Sequence, residues 1–252
     1  MFEERELLTP DVVQPSLQGR FGRPYLWCEE CTSTQDVLRD ESLPEGAVAV
    51  TEHQTAGRGR SGRAWDDAAG GSLLCSLLLR PPAGSPVEQL SLVAGLAVAD
   101  AVDSIAGVVA QLKWPNDVLV DGRKVAGVLL ESGGGAVICG IGINVDQSEH
   151  ELPAATRLPP ASLRTATGRR HDRAGLLAEL LSRLEQWYDT WLDAGLPALL
   201  PELERRDALC GSVVGIGDVT GTAVGIAEDG RLRIRLPDGT TTLVASGEVV
   251  SA

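Results

Sequence analysis

At 252 residues, with 43% hydrophobic and 23% charged side chains, the chain is long enough for one large domain, or one domain plus a small one. Its composition is globular, not disordered or coiled-coil. A net charge of −13 argues against a general nucleic-acid binder, which gains affinity by neutralising phosphates, and against docking on an anionic membrane, but leaves room for a local basic pocket.

Residues 1–23 carry no periodicity and read as a loose N-terminal arm; "MFEERELLTP" is too acidic and polar for a signal peptide. "PYLWCEE" reads as a strand reaching "TST", where Ser33 can N-cap a short helix beginning "TQDVLRD". "GAVAVTE" and "SLLCSLLLR" are strands, and Glu88–Ala106 has the spacing of a buried helix. "DVLVDGRKVAGVLLES" is a hairpin turning at Asp121-Gly122, a pair that supplies the positive φ of a type I′ turn. "AVICGIGINV" is a further buried strand. Leu176, Leu177, Leu180, Leu181, Leu184, Trp187, Tyr188 and Trp191 follow i, i+3, i+4, i+7 spacing and form one face of a long helix. From Leu209 onward, short alternating segments with turns at "EDG" and "PDG" read as a small antiparallel barrel. The expected architecture is α+β: a mixed β-sheet packed with helices over 24–206, then a small β domain over 207–252. No apolar run approaches the roughly 20 residues of a membrane span. The five cysteines, Cys28 and Cys31 among them, complete no zinc pattern and suit a reducing compartment, so a cytoplasmic protein is expected.

Four stretches carry chemistry. "HQTAGRGRSGRAWDD" alternates arginines, which grip phosphate and carboxylate through forked hydrogen bonds, with glycines that let the backbone close on a ligand. Its three like charges should repel one another and keep the loop open until an anion arrives. It lacks the spacing of a G-x-x-x-x-G-K-[ST] phosphate loop, and no βαβ unit surrounds it. "KWPND" gathers a lysine, an amide and a carboxylate at a turn, a set suited to a nucleotide carrying Mg²⁺ on its phosphates. Lys124 follows the hairpin turn. "GIGINV" is a strand whose glycines permit close approach of a ligand.

These motifs, in this order and together with "STQ" at 33–35 and "GEVV" near the end, resemble those of biotin–protein ligases from about Tyr25 onward. That resemblance implies a class II aminoacyl-tRNA synthetase-like catalytic domain followed by an SH3-like domain. It also implies an enzyme that makes biotinyl-5′-AMP from biotin and ATP, with Mg²⁺, and passes biotin to a lysine of a biotin carboxyl carrier protein domain of an acyl-CoA carboxylase. It assigns Ser33, Thr34, Gln35, Gln54, Gly57, Arg58, Gly59, Arg60 and Lys124 to biotin. It assigns Arg63, Trp65, Lys113, Asn116, Asp117 and Asn144 to ATP and the adenylate. Arg60, Lys113 and Lys124 become the catalytic cations, and Asp117 a metal contact through the ATP phosphates.

Two features depart from the family. Gln35 replaces the usual Asn, adding a methylene. About 24 residues precede the first core strand, too few for the DNA-binding domain of the repressor-type members, so a ligase without repressor function is expected, as a monomer or weak homodimer. A lipoate–protein ligase shares the fold and the adenylation logic, but the Q-x-x-G-R-G-R-x-G-R-x-W loop favours biotin. A nucleic-acid regulator conflicts with the acidic balance. A pure biotin-binding module leaves the KWPND corner without a purpose.

Overall fold

The computed structural model describes residues 6–67, 69–154 and 158–251. Residues Pro10–Val13 form a short helix, α1, and Tyr25–Cys31 form β1. The one-turn helix α2, Thr34–Val37, is capped by Ser33, whose side chain accepts from the Gln35 amide. β2 (Val48–Gln54), β3 (Ser72–Leu79), the helix α3 (Leu90–Ala106), β4 (Ala110–Lys113), β5 (Asp117–Val120), β6 (Arg123–Gly133) and β7 (Ala136–Asn144) follow. The main sheet has seven strands in the order β1-β2-β3-β7-β6-β5-β4, antiparallel throughout except for the parallel β1–β2 pair. After it come α4 (Leu163–Thr167), α5 (Arg173–Ala194) and α6 (Leu200–Arg206).

The strands alternate as a two-faced sheet must. Val48, Val50, Leu77 and Leu79 join α3 and α5 in the main core, while Ala49 and Leu78 pack with Leu38 just beyond α2. α5 buries the leucine stripe expected of it, with Trp187 partly buried. α3 lies between α5 and the sheet and ends at Gly107 in a left-handed cap (φ 70°). Together with the 3-10 turn Val87–Gln89 before it, it makes a stretch, Val87–Ala106, mean hydropathy 1.4, long and apolar enough to span a bilayer, contrary to the sequence expectation. Its apolarity answers burial on nearly every side, with Val93, Leu96, Ala97 and Val102 fully enclosed.

The hairpin turns where expected, Asp121 and Gly122 both at positive φ (50° and 72°). A bulge follows it. Asp117 pairs with Gly127 and Val118 with Ala126, but Leu119 pairs with Lys124, so Val125 is an extra residue. Without it, Lys124 and Gly127, three apart, would point to opposite faces. With it they share one.

The arm is not loose. Leu8, Val13, Leu17 and Phe21 are buried in the main core. The backbone N–H of Leu8 donates to Glu52 at 2.6 Å, and Glu52 in turn pairs with the buried Arg173 at 2.8 Å. Sequence periodicity missed this because the arm's partners lie in distant strands and in α5, and it carries too little regular structure to show a repeat.

The C-terminal strands β8 (Val213–Ile216), β9 (Val219–Ile226), β10 (Leu232–Arg235), β11 (Thr241–Val244) and β12 (Val250–Ser251) form an antiparallel sheet ordered β11-β10-β9-β8-β12, the expected SH3-like unit. It is joined to the main sheet at Asp207, which bridges Leu112 of β4.

Candidate active site

A cleft of about 1010 Å³ opens on the α2 face of the main sheet, between the glycine-rich loop and the C-terminal segment Gly247–Val250. Its floor is made by absent side chains. Gly127 of β6 and Gly142 of β7 are register partners, and the Trp65 ring lies directly over them. A Cβ on Gly142 would stand 2.6 Å from that ring, and one on Gly127 3.1 Å. Trp65 Nε1 is buried with no hydrogen-bond partner among the described residues, a donor held inside the cleft.

One end of the cleft is neutral and polar. Gln54, at the end of β2, accepts from both the backbone N–H and the hydroxyl of Thr34 (2.9 and 3.2 Å), and Thr34 also bonds Ser76 at 2.7 Å. Ser33 and Thr34 are thus set by the cap of α2 and braced by two strands. Gln35 takes a different path: its amide donates to the Leu129 carbonyl at 3.2 Å and its chain packs over Gly140. The extra methylene lies over a glycine, and the amide ties α2 to β6.

The other end is cationic. The bulge turns Lys124 into the cleft, where its Nζ lies 2.5 Å from Asp117 Oδ1 and 5.5 Å from the Trp65 ring centre. The Lys124 backbone is fastened by the prolines that follow the hairpin, its N–H donating to Pro159 O at 2.8 Å. Lys113 is almost wholly buried and donates to Val249 O at 3.1 Å; burial lowers its pKa, since the charged form has lost water. Asn116 is held by Val128 and accepts from Arg60 Nη1 at 3.2 Å. Asn144 lines the cleft, but its side chain is engaged in donating to Ala161 O and accepting from Gln147.

The loop is a small hairpin, with Trp65 N–H donating to Gly57 O and Gly59 N–H to Arg63 O. Gly57 does not line the cleft. A Cβ there would meet the Trp65 carbonyl at 2.5 Å, so this glycine serves the loop's stem. Nor do the three arginines stand as uncompensated like charges. Arg58 pairs with Asp36 and Glu131, and Arg63 with Glu248 at 2.7 Å. Arg60 alone of the three has no ion pair among the described residues, and burial lowers its pKa. The repulsion expected from sequence is therefore cancelled at two positions and left for a ligand to answer at the third.

The cleft thus gathers Ser33, Thr34, Gln35, Gln54, Arg58, Gly59, Arg60, Arg63, Trp65, Lys113, Asn116, Asp117, Lys124 and Asn144, every residue singled out in the sequence except Gly57. Sequence reasoning missed Glu248 and Val249, which reach the cleft from the second sheet, and Leu158 and Pro160. "GEVV" marks the stretch without its role: Glu248 stands in the segment between β11 and β12, and its loop partner Arg63 lies far away in sequence. Among the described residues no group of three or more His, Cys, Asp or Glu could hold a metal ion.

A family model described as the biotin/lipoate A/B protein ligase family matches residues 28–148, and one described as the biotin protein ligase C-terminal domain matches residues 212–250. Over 213 residues the chain is 39% identical to biotin–[acetyl-CoA-carboxylase] ligase of Mycobacterium tuberculosis, covering 82% of this chain and 79% of that one. Over 176 residues, 66% of this chain, it is 36% identical to the bifunctional ligase/repressor BirA of Bacillus subtilis, and spans about half (54%) of that protein's length. The structure of the Aquifex aeolicus biotin protein ligase in complex with biotin and ATP superposes with a TM-score of 0.81 at 35% identity, covering 89% of this chain and 97% of that one.

Proposed function

The chain belongs to the biotin/lipoate A/B protein ligase family, and we propose that it joins biotin to a carrier protein in two steps through biotinyl-5′-AMP. In the first, a biotin carboxylate oxygen attacks the α-phosphorus of ATP and pyrophosphate leaves. In the second, the uncharged amine of a carrier lysine attacks the acyl carbon, AMP departs with the electrons of the acyl–oxygen bond, and the nitrogen gives up one proton to solvent as the amide forms. Both steps gather negative charge that fixed cations must answer.

One observation carries this reading: a single cleft joins a neutral hydrogen-bonding end to a cationic end across a side-chain-free floor. Ser33, Thr34 and Gln54 suit the ureido group of biotin. Lys124 and Arg60 suit the carboxylate and α-phosphate, whose mutual repulsion opposes the first step. Lys113 and Arg63 suit the remaining phosphates, and the Trp65 face and its unpaired N–H suit the adenine side. Asp117 is paired with Lys124, so Mg²⁺ belongs to the substrate, entering on the phosphates of ATP with Asp117 nearby.

The acceptor is the biotin carboxyl carrier domain of an acyl-CoA carboxylase, met in the cytoplasm, a compartment that suits five unpaired thiols. The test is to incubate the purified chain with biotin, MgATP and such a carrier domain and to weigh the carrier. A mass gain of one biotin on one lysine is expected. Pyrophosphate release with lipoate but not with biotin would overturn the assignment.

A further inference from the structure

We propose that Asp36 and Glu131 are positioning residues for this reaction: acting through Arg58, they fasten the glycine-rich loop over the adenylate and tie its closure to the turn that carries Ser33, Thr34 and Gln35. This rests on the adenylate-forming reading above.

Arg58 spends three donors on carboxylates. Nη1 and Nη2 meet the two oxygens of Asp36 at 3.0 Å each, and Nε meets Glu131 Oε1 at 2.9 Å. Arg39 reaches the same two acids from the other side, Nε to Asp36 Oδ1 at 3.0 Å and Nη2 to Glu131 Oε2 at 2.9 Å. The four side chains close a ring of alternating charge whose sum is zero. The Arg58 guanidinium lines the cleft and at the same time anchors the loop through these three donors. Hydrogen bonding to Arg58 holds the Asp36 carboxyl below its usual range, as a fork-to-fork pair should.

The ring's members come from three places. Arg58 belongs to the loop and Glu131 to β6. Asp36 lies one residue after Gln35, in the turn capped by Ser33. Gln35 donates to Leu129 O, two residues from Glu131 on the same strand. The turn and β6 therefore form one platform, and the loop is bolted to it beside the neutral end of the cleft. A ligand that orders Ser33 and Thr34 also orders Asp36, and Asp36 holds the loop.

The consequence is kinetic. A mixed anhydride survives only while water is kept out, so side chains that touch no reacting atom can set its lifetime. Asp36, Glu131 and Arg58 are each about one-third exposed or less, open enough for salt to weaken their attraction.

The experiment forms labelled biotinyl-AMP on the full chain from biotin and MgATP without carrier, then follows its loss. Wild type is compared with the D36N/E131Q double variant and with Arg58→Lys, which keeps the charge but loses the fork. In wild type, loss should quicken between ~0.05 and ~0.5 M salt as screening grows. In both variants loss should be about three- to tenfold faster at low salt, the range expected of a network of partly exposed pairs; in the double variant, which has lost the charges, it should also depend on salt less steeply than in wild type. Melting temperatures should stay with wild type's. If wild type holds the adenylate and the double variant holds it equally long with the same salt dependence, the positioning role is wrong and the functional reading stands. If wild type makes no adenylate from biotin, the functional reading fails instead.

Discussion

Lys124 and Asp117 meet at 2.5 Å across the β5–β6 hairpin although neither is the other's register partner. The bulge at Val125 brings them to the same face. The lysine is held by a charge that neutralises it until a stronger anion competes, and the aspartate is held away from open solvent.

Lys124→Ala should therefore abolish chemistry and spare the fold. Removing a fixed cation from the site of developing phosphoryl charge costs on the order of 10²–10³ in rate, whereas a partly exposed ion pair contributes at most about 1 kcal/mol to stability. Pyrophosphate release with biotin and MgATP reads the first, and thermal melting the second. Near-normal release would remove Lys124 from the mechanism.

Arg60→Ala should let the intermediate escape. Arg60 is the one loop arginine without a carboxylate partner among the described residues, oriented by Asn116 instead. Its guanidinium is free to take the anion, and burial makes that interaction stronger than at a surface. Adenylate retained on the variant after rapid gel filtration should fall at least about tenfold, the loss expected for one charge-assisted contact of about 1.5 kcal/mol or more. Retention equal to wild type's would contradict the assignment.

Gly142→Ala tests the floor. The added methyl would stand 2.6 Å from the Trp65 indole, so the ring must lift off the sheet. The expected result is a raised KM for MgATP, on the order of tenfold for a displacement worth ~1.4 kcal/mol. Gly133→Ala, where a Cβ would have open space, serves as the silent control. An unchanged KM in the first variant would mean that the Trp65 slot is not part of the nucleotide site.

Asp207, at the seam between the two sheets, gives a pH prediction. One of its oxygens accepts from the Leu209 N–H at 2.8 Å, and the other is buried without a partner among the described residues. Burial raises its carboxyl above the ordinary value. As pH climbs from the ordinary carboxylate range through this raised value, the unfolded chain gives up its proton first and the native state keeps it. Asp207 therefore contributes stability that is full at low pH and lost on the way up. Urea midpoints taken between about pH 4 and pH 7 should fall less with rising pH in Asp207→Asn than in wild type. Parallel slopes in the two proteins would show that Asp207 ionises no differently when folded.

Much of the fold could be read locally. Asp121-Gly122 announced its turn because only a few residues accept two positive φ values in succession, and the leucine stripe of α5 was visible because one face of a long helix repeats. The site was legible through four motifs that make sense only together. What escaped was non-local. Nothing near Leu8 or Phe21 in sequence foretells burial against strands and a helix far along the chain. The direction of Lys124 depended on one extra residue in a ladder, and a one-residue slip reverses every side chain after it. The anchoring of Arg58 left no trace in the sequence because Asp36 and Glu131 lie in unrelated stretches, and only the folded sheet brings them to it.

The loop's three arginines reach three separate regions: Arg58 the turn beside the neutral end, Arg60 the KWPND corner, and Arg63 the C-terminal sheet through Glu248. Sealing the cleft is thus a conjunction. No single region can draw the loop fully down, and disturbing any one leaves a corner unfastened. A protein handling an intermediate that water destroys would gain from such coincidence logic, since the three fastenings lie on both halves of the cleft and on the segment before β12.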